Sequence, residues 1–396
     1  MEWLHIGIKF DLDMVALILL STLGACWLIQ LFYYWIFLAK PYYYMQKMRK
    51  GKIEFSHAKP RVSLIICAKN ETENLQAFLP SILEQNYPEY EVIIVNDDST
   101  DDSEDALRRM ENQYSHLYYT YIPQGTKNVS RKKLGIALGI KAAKYDTLLF
   151  TEADTYPVSD NWLSAMVRHF SHRETIVQGF SALEKRTGFM NKFAAYDYYF
   201  CNIQMMAMVL SRIPYGANGR NLAYHRVHFD SQKGYSKYRF LQGGEDDLFV
   251  KEVATKENMA VEMSPDSVVY IRREGLTEWT DFKISRAITR HFYSRGSLFF
   301  WRFESISRLL FVLAFLACLF YDFCNVILCG AAILTFAVRF YTQWFVINRT
   351  ADPLKLEKYY FTLLFYDLMQ PFVNLYFYIY RIFRGKKNYT WKLESR

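Results

Sequence analysis

Glu91-Val92-Ile93-Ile94-Val95-Asn96-Asp97-Asp98-Ser99 reads as a strand that runs straight into carboxylates. An unbroken β-branched run suits a strand covered on both faces, as in a parallel sheet. The pattern recurs at residues 147–151, which lead into Glu152-Ala153-Asp154. A third acidic cluster, Glu245-Asp246-Asp247, follows the Gly243-Gly244 turn and precedes an apolar helix start. Carboxylates gathered at strand exits are costly to fold unless a cation, a hydroxyl or a nucleotide uses them.

Working outward, residues 62–68, 91–95, 117–122 and 147–151 are expected strands. Helices are expected over 73–85, 101–114, 132–144 and 160–170. Strands alternating with helices imply parallel βαβ units, which place ligands at the carboxyl ends of the strands.

Both flanks are apolar. Residues 14–39 carry no charge over 26 positions, more than the roughly 20 needed to cross a bilayer. Basic residues follow this segment (Lys40, Lys47, Arg49, Lys50, Lys52), so it reads as an anchor and not a cleaved signal, with its N-terminus outside and residue 40 onward in the cytosol. Beyond residue 306, segments 309–323 and 326–347 suit a helical hairpin turning near Tyr321-Asp322. Segment 359–383 is interrupted at Gln370-Pro371, and a full third crossing there would leave Arg381 and Arg384 outside. A re-entrant or flat segment fits the charge rule better.

The formal charge is +8 and aromatic content is 18%. The basic residues flank hydrophobic runs, so membrane lipids and not nucleic acid are the expected polyanionic partner. Six cysteines without a CxxC spacing fit reduced, packed thiols.

The strand Val62-Ser63-Leu64-Ile65-Ile66-Cys67-Ala68 before Lys69-Asn70-Glu71, followed by the Asn96-Asp97-Asp98 exit, resembles family 2 glycosyltransferases of the GT-A fold, an α/β, Rossmann-like mixed sheet. The resemblance spans roughly residues 60–300 and rests on the order of several motifs, each weak alone. It implies a nucleotide-sugar donor, a UDP-sugar above all, with Mg2+ or Mn2+ and inversion at the anomeric carbon. By position, Glu71 and Asp97 would hold the base and ribose. Lys132 would counter the diphosphate, although Lys133 matches nearly as well. Asp154 would hold the metal. Glu152 stands where relatives carry aspartate, and its extra methylene would carry it toward ribose or donor sugar. Asp246 aligns with the general base and Glu245 with an acceptor contact. Asp247 reads as a helix cap. Asn218 and Gly219, in Tyr215-Gly216-Ala217-Asn218-Gly219-Arg220-Asn221, would line the donor-sugar and acceptor pocket, although a plain turn explains them as well.

Processive synthases of this family carry Gln-x-x-Arg-Trp downstream. The corresponding stretch, Ala287-Ile288-Thr289-Arg290-His291, keeps only the arginine, which would pair with the diphosphate. The aromatic and methionine stretch 193–209 reads first as core and second as a lipid guide. The expected organisation is an anchor (1–40), a basic linker (41–59), a cytosolic catalytic domain (60–284), an amphipathic interfacial segment (285–305), a C-terminal membrane region (306–383) and a basic tail (384–396). The expected activity is transfer of one sugar to a lipid-linked or membrane-presented acceptor in envelope glycan synthesis at a bacterial inner membrane. The alternatives are a processive synthase similar to poly-N-acetylglucosamine or hyaluronan synthases, and a silent nucleotide-binding scaffold.

Overall fold

The computed structural model describes residues 10–123 and 130–384; of the expected basic tail, residues 385–396 lie outside the described residues. The strands are β1 (Val62–Ala68), β2 (Tyr90–Asn96), β3 (Leu117–Tyr121), β4 (Thr147–Glu152), β5 (Thr155–Pro157), β6 (Ile176–Gly179), β7 (Ser181–Leu183), β8 (Leu222–His225), β9 (Met259–Glu262) and β10 (Val269–Ile271). The helices are α1 (Met14–Phe32), α2 (Lys40–Arg49), α3 (Thr72–Leu83), α4 (Ser103–Gln113), α5 (Arg131–Ala142), α6 (Trp162–Val167), α7 (Phe189–Leu210), α8 (Val227–Ser231), α9 (Asp247–Val253), α10 (Thr277–Thr289), α11 (Arg295–Tyr321), α12 (Val326–Ala351) and α13 (Thr362–Arg384).

Seven strands form one sheet in the order β3-β2-β1-β4-β8-β6-β9. The first four are parallel, β8 is antiparallel to both β4 and β6, and β9 runs parallel to β6. A second sheet of three strands has the order β5-β10-β7. Every residue of β1 is buried, as its apolar run demands. Helix α5 packs closely on this sheet because Gly139 has no side chain: a Cβ there would lie 2.5 Å from Ile65 Cγ2. The four expected strands are all present, within a residue at each end. The short strands after residue 170 were not anticipated, since three or four residues are too few for alternation to register.

Helix α7 is the hub of the largest core. Tyr196, Tyr198, Phe200 and Met206 are buried in a cluster that also takes in Tyr34 and Leu38, Val346 and Ile347, and Tyr366 from the flanking helices. This stretch is therefore core, as its first reading held. All six cysteines are free thiols.

Among the described residues, three helices have the length and composition to cross a membrane: Met14–Arg49, Arg295–Tyr321 and Val326–Ala351. The first joins α1 to α2 through a π-helical turn, Tyr33–Leu38. Ala16, Leu23 and Cys26 of α1 meet Phe311, Ala314 and Cys318 of α11 and Leu328 and Ala332 of α12 in one cluster. The expected interfacial segment 285–305 is divided between the end of α10, a short 3-10 turn (Arg290–Phe292) and the first turns of α11.

Residues 362–384 form one continuous helix, with Pro371 inside it and no break. Proline removes the hydrogen bond to the carbonyl four residues earlier, here that of Asp367. Arg308 Nη1 donates to that carbonyl at 3.3 Å and to Gln370 Oε1 at 3.0 Å, which replaces the lost partner. Helix α13 also packs on α10: Lys283 Nζ bonds Asn374, Phe377 meets the Trp279 ring, and Arg381 Nη1 donates to Ala287 O at 2.8 Å.

Candidate active site

The carboxyl ends of β1 and β4 open onto a cavity of about 930 Å³. Its walls include Glu71 after β1, Glu152 and Asp154 after β4, Lys132 on α5, Asn218 and Arg220 before β8, Glu245 and Asp246 before α9, and Arg286 on α10. Ten residue positions were expected to form the site, and the cavity takes in most of them across a sequence span of more than 170 residues.

The exits of β1 and β2 are locked to each other. Asn70 and Asp98 both adopt positive φ (53° and 51°), a conformation that asparagine and aspartate tolerate better than most residues. Asn70 N–H donates to Ser99 Oγ at 2.9 Å, and Thr100 N–H donates back to Asn70 Oδ1 at 2.8 Å. Glu71 Oε2 accepts from Asn74 Nδ2 at 2.6 Å and lines the cavity. Asp97 does not: it is fully buried, with Oδ1 on Arg131 Nε and Oδ2 without a hydrogen-bond partner among the described residues.

The two adjacent lysines are separated cleanly. Lys132 Nζ lies 2.6 Å from Glu152 Oε1 and 2.9 Å from Glu245 Oε1, so it bridges two acidic clusters. Burial alone would lower its pKa, but these two carboxylates outweigh burial and raise it. Lys133 turns the other way. It donates to the carbonyls of Tyr238 (2.9 Å), Leu241 (2.5 Å) and Gly243 (2.6 Å), and burial lowers its pKa. Lys133 therefore holds the loop before the Gly243-Gly244 turn, and Lys132 faces the cavity.

Arg220 meets the third cluster. Its Nη2 lies 2.9 Å from Glu152 Oε2 and 3.3 Å from Asp154 Oδ2. Burial would raise the Glu152 carboxyl, but Arg220 and Lys132 hold it at about 2. For Asp154 burial prevails over Arg220 and pushes the carboxyl up to about 6. Asp154 Oδ1 and Glu245 Oε2 are buried and lack a hydrogen-bond partner among the described residues. No group of three or more His, Cys, Asp or Glu side chains suited to a metal occurs among the described residues. The unpartnered Asp154 oxygen nonetheless fits a divalent cation whose remaining ligands come from a diphosphate and water.

Asp246 is the N-cap of α9 and is fixed at both oxygens. Oδ1 accepts from Asp247 N–H at 2.7 Å and Oδ2 from Gly219 N–H at 2.8 Å, with Arg286 Nη2 at 3.5 Å. Gly219 is needed for this approach, because a Cβ there would lie 3.1 Å from Asp246 Cβ. Asn218 is buried beneath, its Nδ2 donating to Tyr198 OH at 2.6 Å and Ser181 Oγ at 3.1 Å. Burial raises the Asp246 pKa, against the lowering influence of Arg286.

Asp247, expected as the helix cap, is instead the first residue of α9, and the cap is Asp246. Asp247 accepts Leu248 N–H at 2.8 Å, but its other oxygen binds Thr289 Oγ1 at 2.5 Å, Arg286 Nη1 at 2.9 Å and the Tyr293 hydroxyl. It ties α9 to α10, which brings Arg286 to Asp246. Arg290, one turn further on, is not among the cavity-lining residues. Sequence reading passed over Arg220 and Arg286 because their acidic partners lie 66 and 40 residues away. An arginine inside a glycine-rich turn is the signal that pointed to the first.

Residues 63–229 match the family description Glycosyl transferase family 2. Poly-beta-1,6-N-acetyl-D-glucosamine synthase of Staphylococcus epidermidis is 24% identical over 175 residues, covering 43% of this chain and 40% of the relative. The synthase of the same name from Staphylococcus aureus (strain COL) is 23% identical over 172 residues, 42% of this chain and 40% of that one. The match thus spans about two fifths of the length of these curated relatives. Among solved structures, mannosyltransferase PcManGT from Pyrobaculum calidifontis, in complex with GDP-Man and Mn2+, superposes with a TM-score of 0.53 at 18% identity, covering 86% of this chain and 99% of that chain. At that identity the likeness is one of fold. With the mixed sheet and the cavity at its carboxyl edge, this superposition gives the chain the GT-A fold, and its residues 63–229 are similar to family 2 glycosyltransferases.

Proposed function

We propose that this chain is an inverting glycosyltransferase that moves a sugar from a UDP-sugar to a lipid-linked or membrane-presented acceptor in cell-envelope glycan synthesis. The observation that carries this reading is a single cavity lined both by Asp246 and by the Lys132, Glu152, Asp154 and Arg220 charge cluster. A general base and a polyanion-binding wall are the two things an inverting displacement needs. The acceptor hydroxyl gives its proton to Asp246 as its oxygen bonds to C1. The bond from C1 to the diphosphate breaks, and its electron pair leaves with the nucleotide. Lys132 stands ready to take up the charge developing on the leaving group. A divalent cation, Mg2+ or Mn2+, held by Asp154 with Glu152 beside it, would when bound supply further positive charge there.

Glu71 is assigned to the base or ribose, and Asp97 acts at one remove through Arg131. Glu245 and Asn218 belong to the sugar and acceptor side. At the base itself the cation is Arg286, and Arg290 is left the role of a more distant contact. Three spans followed by a surface-lying α13 would keep the catalytic domain and the basic end of α13 on one side, the cytosolic one.

Release of UDP from a panel of UDP-sugars, with membranes containing the full chain with and without Mn2+, tests the reading. Metal-dependent turnover of one or two donors is expected. UDP binding with no turnover of any donor, even with native lipid extract present, would favour a silent scaffold. Polymer synthesis is the second reading, favoured by the names of the curated relatives. Product length distinguishes it from single transfer.

A further inference from the structure

Within the charged wall of the cavity, the contacts of Arg220 point to a more specific task. Its side chain, 13% exposed, is largely enclosed in the cavity wall, and its guanidinium touches both acids of the Glu152-Ala153-Asp154 cluster, at 2.9 Å and 3.3 Å. Arg220 Nε is buried too, with no hydrogen-bond partner among the described residues. A buried guanidinium that leaves a donor unpaired forgoes a hydrogen bond that burial makes valuable. The second oxygen of Asp154, Oδ1, is also buried without a hydrogen-bond partner among the described residues. A donor and an acceptor left open beside one cavity call for a ligand that is itself both anion and cation, such as a metal diphosphate.

We propose that Arg220 is an internal cation of the donor site: it holds Glu152 and Asp154 while the cavity is empty, competes there with a divalent cation, and turns its guanidinium to the diphosphate when the donor arrives. The longer Glu152 makes this possible. With one methylene more than aspartate, it reaches Lys132 at 2.6 Å and Arg220 at 2.9 Å together. It therefore serves the charge network instead of the donor sugar, and the metal rests on Asp154. A metal that must displace a guanidinium binds weakly by itself, whereas a diphosphate that draws the guanidinium away frees the carboxylate. Metal and nucleotide then bind cooperatively. Arginine suits this exchange, since its planar fork pairs two oxygens of a carboxylate or of a phosphate.

The inference rests on the proposed nucleotide-sugar activity, and binding measurements separate the two. Mn2+ and UDP affinities would be measured for the purified full chain, each alone and each with the other present, by paramagnetic resonance of free Mn2+ and by calorimetry. For Arg220→Gln, Mn2+ alone should bind several-fold more tightly, and UDP alone on the order of tenfold more weakly, the loss of one charge-assisted contact. The mutual enhancement between the two ligands should shrink. Arg220→Lys keeps the charge without the fork and should fall between, and it serves as the test if Arg220→Gln does not fold. Wild type that binds UDP, with all affinities unchanged in both variants, overturns the inference and leaves the proposed function standing. Wild type that binds no nucleoside diphosphate, GDP included, overturns the proposed function and this inference with it.

Discussion

Two buried ion-pair networks in this molecule use the same residue types to opposite ends. In the cavity, Glu152, Asp154 and Glu245 share Lys132 and Arg220, and two carboxylate oxygens are left unpartnered. Among the flanking helices, Glu304 and Asp367 meet Arg308 and Arg339, two acids against two bases. Arg308 Nη2 lies 2.6 Å from Glu304 Oε2, Arg308 Nη1 3.1 Å from Asp367 Oδ1, and Arg339 Nη2 2.7 Å from Asp367 Oδ2. Gln30 of α1 joins through Arg339 at 3.1 Å, so four helices converge on the cluster. The second network balances its charge in a closed interior and repairs the Pro371 gap in α13. The first carries an excess of negative charge onto an open volume. A surplus that faces a cavity is readied for a ligand; a balanced cluster between packed helices fixes how they meet.

The largest expected effect breaks the comparison on the cavity side. Asp246→Asn keeps the shape but removes the base, so turnover should fall on the order of 10² to 10⁴-fold. UDP affinity should stay near wild type, while unfolding in detergent should come somewhat earlier, since the amide oxygen can accept from only one of Gly219 N–H and Asp247 N–H and the other faces the amide nitrogen. Undiminished turnover would mean that another group takes the acceptor proton.

Next is the helix network. Arg308→Met strips Glu304 of its partner and reopens the Asp367 carbonyl above Pro371. Removing one member of a buried pair costs about 3–5 kcal/mol, so unfolding should come many degrees earlier. UDP affinity of the fraction still folded should not change. Loss of UDP affinity with unchanged melting would reverse the assignment of the two networks.

How much of this was readable in the chain depends on distance along it. The strand exits at Asp97 and Glu152 and the cluster at Glu245 were legible, because acid that ends an apolar strand or a glycine turn is a local pattern. Lys132 was legible as the cation that opens α5, but the cavity's arginines were not. Arg220 and Arg286 look like a turn residue and a surface-helix residue until β8 and α10 fold against acids many positions away. Pro371 misled for the same reason. Proline breaks a helix only where nothing replaces the lost hydrogen bond, and the replacement comes from Arg308 on another helix. The Lys132 and Lys133 pair was undecidable because successive helix positions point about 100° apart, and the register of α5 on the sheet decides which one sees the cavity.

That pair sharpens the comparison within one helix. Lys132→Met should weaken UDP binding on the order of tenfold with modest change in melting, since its partners open onto the cavity. Lys133→Met leaves three buried carbonyls without a donor and should destabilise by about 1–3 kcal/mol, with UDP affinity of the folded protein little altered. The opposite pattern would place Lys133 at the diphosphate.

The smallest expected effect is a shift along the pH axis. Burial raises the Asp246 carboxyl above the usual aspartate range, and Arg286 opposes it. A base must be deprotonated to act, so kcat/KM should fall as pH drops through this raised value, and the acid limb should lie above that of an ordinary aspartate. Arg286→Gln removes the opposing charge and should move the limb upward, while turnover at high pH falls less than in Asp246→Asn. A limb that moves down, or stays in place while turnover collapses, would make Arg286 a support of α10 with no electrostatic hold on the base.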